Sequence, residues 1–105
     1  MTRFNDGPAK GQNLMLKRAA RFLRVVEENG KWDALDQRED TPKPTETIYA
    51  YTIVGEPGMS HIHASGGRGG FYTIANYRFV TPQPADSEMR DNNAWRTWCH
   101  NNQPQ

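Results

Sequence analysis

Polar and apolar positions alternate over much of the chain, and that alternation predicts strands. Thr47-Ile48-Tyr49-Ala50-Tyr51-Thr52-Ile53-Val54 is rich in β-branched and aromatic residues and reads as the clearest strand. Phe71 to Val80 reads as a second, and Met59 to Ala64 as a shorter one after a turn at Glu56-Pro57-Gly58. Residues 14–28 carry two patterns. Leu16, Ala19, Ala20, Leu23 and Val26 fit helical spacing, but Asn29-Gly30 follows at once between two apolar runs. Both residues tolerate the positive φ of a type I′ turn, which favours a hairpin with strands over 21–28 and 31–36.

Residues 1–13 lack periodicity and predict an irregular arm. Asp40-Thr41-Pro42-Lys43-Pro44-Thr45 is a loop, because each proline removes a donor and turns the preceding residue away from helix. From Asp86 or Ser87 as N-cap, a helix is predicted to about His100, burying Met89, Trp95, Trp98 and Cys99, with 101–105 fraying. The expected fold is α+β and one domain over 1–105. It is a small antiparallel sheet or partly open barrel of about five strands with a C-terminal helix.

Composition narrows the class of molecule. The apolar fraction is 35%, with 3 Trp, 4 Tyr and 4 Phe among 105 residues, so the chain has aromatics enough to anchor one modest core. Net charge is +1, yet residues 1–31 hold 7 of the 13 basic groups and 32–46 hold five acids. A near-neutral chain is a poor general binder of nucleic acid, so that partner is not expected. The single Cys99 cannot close an internal disulfide. No apolar run reaches the ~20 residues of a membrane helix and the start has no signal-peptide pattern, so the expected setting is cytoplasmic, away from membranes.

The segment from His61 to Tyr72 is the most informative for chemistry. Gly66, Gly67, Gly69 and Gly70 surround Arg68, where backbone N–H groups and a guanidinium can meet a phosphate. His61 and His63 precede this loop, and Phe71 and Tyr72 follow it with rings that could hold a base. No established nucleotide-binding fingerprint is present; the plainer account is a hairpin tip. His61, His63, Cys99 and His100 do not have the paired spacing of a zinc site, and no cofactor or metal is expected. Ser60, Ser65 and Cys99 lack a nucleophile elbow, and Asp33, Asp36, Glu39 and Asp40 lie in a wet, turn-rich segment, so an enzyme is not expected. Trp95 and Trp98 share a helix face; with Arg21 and Arg24 they form a candidate protein-interaction surface, since Trp and Arg are common interface anchors.

At Leu35-Asp36-Gln37, Asp40-Thr41-Pro42, Ile48-Tyr49-Ala50-Tyr51 and Gly7-Pro8-Ala9-x-Gly11, the chain resembles small orphan proteins encoded by tailed bacteriophages. The resemblance implies an accessory protein of an infected bacterium. Such proteins can counter host defence by sequestering a nucleotide signal or by occluding a defence protein.

The expected function is therefore non-enzymatic binding of a small phosphorylated ligand such as a nucleotide or cyclic nucleotide, and a homo-oligomer with sites between subunits is compatible with it. The alternative is an inhibitor or adaptor that binds a bacterial host protein, and the second alternative a small hydrolase or metal-binding protein.

Overall fold

The computed structural model describes residues 2–16, 19–35, 40–56, 58–63 and 69–103, with 59–63 and 69–73 described by their backbone. The elements are β1 (Thr2–Phe4), β2 (Asn13–Leu14), β3 (Phe22–Glu28), β4 (Lys31–Leu35), β5 (Thr47–Ile53), β6 (Gly58–His63), β7 (Gly69–Phe79), α1 (Asp86–Arg90) and α2 (Asn92–Asn101). Strands run in the order β2-β1-β7-β5-β3-β4, with β6 pairing on β7. The two ends of that order, β2 and β4, come within 8 Å at their Cα atoms. The result is an α+β fold with a nearly closed, barrel-like mixed sheet and C-terminal helices.

The alternation of β3 and β5 explains the layering. Leu23, Val25 and Tyr51 point into the barrel, where they meet Phe4, Ala9, Ala75 and Tyr77. Phe22, Val26, Ile48 and Ala50 point outward and are covered by Met89, Trp95 and Cys99 of the helices. Two thin cores thus share one pair of strands. Asn29 and Gly30 hold φ of 52° and 81°, and Glu28 pairs with Lys31, so the hairpin turn is as the sequence predicts.

Three expectations need correction. The N-terminal arm is not irregular throughout: β1 lies parallel to β7, with Thr2 opposite Ala75 and Phe4 opposite Tyr77. Its return is fastened from inside the barrel, because the Tyr51 hydroxyl donates to Asp6 O (2.9 Å) and accepts from Ala9 N–H (2.8 Å). Second, the chain does not reverse between β5 and β6. Ile53 pairs with Tyr77 and Gly58 with Ile74, so two extra residues are accommodated as a bulge while both strands follow one edge of β7. Third, the helix is broken at Asp91, whose extended backbone ends α1 and whose carboxylate caps α2 by accepting from Ala94 N–H at 2.9 Å. Among the described residues no helix is long and apolar enough to cross a membrane.

Burial pushes the Tyr77 hydroxyl from 10.0 up to about 12 and the Cys99 thiol from 9.0 up to about 12. In both cases the fold favours the neutral form. The stability they contribute is therefore complete below about pH 9 and is lost as pH rises towards 12. Urea midpoints should fall steeply between pH 9 and 12, and Cys99→Ala should flatten part of that fall. An unchanged midpoint across this range would contradict the burial of both groups.

Candidate functional site

The outward positions of three neighbouring strands form a row across the sheet. Phe22 on β3 pairs with Thr52 on β5, and Thr52 pairs with Arg78 on β7. Val80 and Thr81 extend this row as β7 ends. Trp98, one turn before the end of α2, stands over it, with its ring edge-on to Phe22 at 5.3 Å and stacked on Trp95 at 5.3 Å. The C-cap residue Asn102 is fixed at the rim, since its side-chain and backbone N–H groups both donate to Trp98 O, at 2.8 and 3.0 Å. Together Phe22, Thr52, Arg78, Val80, Thr81, Trp98 and Asn102 line a cleft of about 250 Å³.

The chemistry of this cleft is mixed in a useful way. Trp98 and Phe22 supply aromatic surface, Val80 an apolar wall, and Arg78 an exposed guanidinium. Thr52 Oγ1 donates to Arg21 O at 3.2 Å, which places the backbone of exposed Arg21 beside the cleft. Thr81 and Asn102 add a hydroxyl and an amide. A flat ring could lie against Trp98 while an anionic group met Arg78.

A second depression, of about 140 Å³, is lined by Val26, Glu28, Lys31, Trp32, Asp33, Lys43 and Glu46. Its three carboxylates outnumber its two ammonium groups, which leaves it net negative and unsuited to an anion, and Glu28 is engaged by the Thr45 hydroxyl at 2.7 Å. It has a ring in Trp32 but no net positive charge beside it.

The residues singled out in the sequence fall in three places. Backbone pairing sets His61 opposite Phe71, His63 opposite Gly69, Ile62 opposite Gly70 and Ser60 opposite Tyr72, so these segments do converge along one two-stranded ribbon. Gly66, Gly67 and Arg68 lie outside the described residues. Of the four proposed interface residues, Trp98 is half-buried at the cleft and Arg21 is exposed.

Trp95 and Arg24 cannot serve as surface anchors, because both are 0% exposed. The alternation of β3 directs Arg24 beneath the helices. There its guanidinium donates to Met89 O (3.1 Å) and Asp40 O (2.6 Å) and lies 5.9 Å from the Trp95 ring centre. Cys99 is also buried, and its thiol, raised to about 12 chiefly by burial, stays protonated at neutral pH. Among the described residues no group of three His, Cys, Asp or Glu side chains could hold a metal ion.

Sequence reasoning missed Phe22, Thr52, Arg78, Val80, Thr81 and Asn102 as site residues. Arg78 did leave a signal: it is the one cation in the run Phe71 to Val80, at an outward position of the alternation. Nothing in the sequence set it beside Trp98, because only the folded sheet does so. The fold and the cleft together define a small α+β barrel with an aromatic, cationic cleft on its outer face. Comparison of the chain with protein-family models, curated proteins and solved structures finds no match.

Proposed function

We propose that this is a non-enzymatic binding protein for a small phosphorylated ligand of the nucleotide type, and that the cleft under Trp98 takes it. What supports the reading is one convergence: an indole ring, an exposed guanidinium, two threonine hydroxyls and an amide around the same 250 Å³. In this arrangement the base stacks on Trp98 and the phosphate meets Arg78, while Asn102 and Thr81 lie within the same rim. Sequestering a nucleotide signal is the counter-defence role implied by the resemblance to phage proteins, and this proposal includes it.

Titration calorimetry against a panel of linear and cyclic nucleotides tests the reading. Base stacking on an aromatic side chain contributes about 1–3 kcal/mol, and a charge-assisted hydrogen bond about 1.5–3. Trp98→Ala and Arg78→Ala should each weaken binding by about ten- to a hundredfold, with cooperative urea unfolding showing that both variants remain folded. Unchanged affinity in both variants would rule the cleft out.

A second reading is a protein-binding inhibitor or adaptor that grips a host protein at the same place. The volume favours it, since sites that enclose small molecules usually measure about 300–1,000 Å³, and this cleft is smaller. A projecting side chain of a partner would fill it, with Trp98 and Arg21 as anchors. A stoichiometric complex from bacterial lysate, lost in Trp98→Ala and indifferent to added nucleotide, selects this reading over the first.

A further inference from the structure

We infer that the bare sheet face beside the cleft is a second phosphate subsite, centred on Arg3, so that the ligand carries at least two phosphate groups. This rests on the nucleotide reading of the cleft and goes further, to the charge and length of what binds there.

β1 supplies the first charge of this face. Thr2 and Phe4 are 3% and 5% exposed and point into the barrel, so Arg3 between them points out and is exposed. On β7, Ala75 and Tyr77 point inward in the same way, leaving Asn76 and Arg78 outward. Register then assembles the face. Arg3 lies opposite Asn76 on one side and Asn13 on the other. Asn5 N–H donates to Tyr77 O at 2.9 Å, which sets Asn5 level with Arg78.

The helices cover only the β3–β5 part of the outer surface, through Phe22, Val26, Ile48 and Ala50. The β1–β7 part is left open, with Arg3, Asn5, Asn13 and Arg78 all exposed. Two guanidinium groups and three asparagine amides therefore share one face, and β1, β2 and β7 carry no carboxylate of their own. The nearest in sequence, Asp6, is turned to the backbone, where its Oδ1 accepts from Phe79 N–H at 2.7 Å.

Spacing decides the ligand class. Arg3 and Arg78 are on neighbouring strands and offset by two residues. With strands ~4.8 Å apart and a rise of ~3.3 Å per residue, their Cα atoms are about 8 Å apart. Two arginine side chains rooted that far apart can close on a diphosphate or triphosphate chain, or hold successive phosphates of a short oligonucleotide. A monophosphate seated at Arg78 would leave Arg3 without a role.

The test is titration calorimetry on the full chain at fixed ionic strength. The ligands are the mono-, di- and triphosphates of the four common ribonucleosides, with their 5′-phosphorylated dinucleotides as a separate arm. The wild type should bind the best di- or triphosphate at least tenfold more tightly than its monophosphate. Arg3→Ala should abolish that increment while changing monophosphate affinity by less than twofold, and Arg78→Ala should weaken every ligand. Lys31→Ala, which removes an exposed cation of the second depression at the far end of β3, should leave the increment in place.

An increment with the dinucleotides alone identifies linked phosphates, and one with the polyphosphates alone identifies a phosphate chain; both support the subsite. Monophosphate binding without any increment, an increment that survives Arg3→Ala, or an equal loss in Lys31→Ala overturns it while leaving the cleft reading standing. No binding by any of these ligands overturns both.

Discussion

Arg24→Ala should lower the free energy of unfolding by about 3–5 kcal/mol, the range for removing one side of a buried charged network. The side chain is fully enclosed, and its guanidinium ties two segments to β3: the end of α1 through Met89 O, and the start of the proline-rich loop through Asp40 O. Truncation leaves those carbonyls without these donors, at about 1–3 kcal/mol each when buried. It also removes the aliphatic stem that packs under the helices. Domains of ordinary stability have about 5–15 kcal/mol in total, so the variant should unfold at much lower urea. Arg24→Lys should fall between the two, because one ammonium cannot span both carbonyls in the way a planar fork does. A loss below about 1 kcal/mol in Arg24→Ala would mean that the guanidinium does not hold the helices to the sheet.

The second large effect is expected at Gly7. Its φ is +73°, and a Cβ there would lie 2.6 Å from Tyr51 Oη and 2.7 Å from Phe79 Cγ. Gly7→Ala therefore meets two penalties at once: a left-handed backbone, at about 1–2 kcal/mol, and overpacking against the barrel, at about 1–3. The expected loss is about 3 kcal/mol, read as a lower urea midpoint. The molecule supplies its own control. Gly11 has φ +86° with nothing within 4 Å of a built Cβ, so Gly11→Ala should show the backbone part alone, about 1 kcal/mol. Equal losses at the two glycines would show that the contact with Tyr51 and Phe79 costs nothing.

These two residues also mark where the sequence is legible and where it is not. The hairpin at Asn29-Gly30, the strands around Tyr51 and Tyr77 and the C-terminal helical region follow from turn chemistry and periodicity, both local properties. The strand at Thr2–Phe4 does not. It is three residues long, and tertiary pairing with β7 and the Tyr51 hydroxyl make it a strand. Arg24 was misread for a related reason. Arginine is expected at the surface, and only the apolar partners at Phe22 and Val26, on the same face of the alternation, indicate that this one is covered. The break at Asp91 reflects a competition that periodicity does not register, between continuing one helix and capping a new one. The cleft was legible only in pieces, because Phe22, Thr52 and Arg78 become neighbours through strand pairing between residues distant in sequence.

The length of β7 has a consequence for any ligand. From Gly69, at the far end of the ribbon, to Arg78 is nine residues along one continuous strand, a span of about 30 Å at ~3.3 Å per residue. A mononucleotide cannot touch both ends of such a rod. A ligand seated in the tryptophan cleft therefore does not reach Gly69 and Gly70 unless it is far longer than a mononucleotide. A partner that contacts both ends must be of macromolecular size.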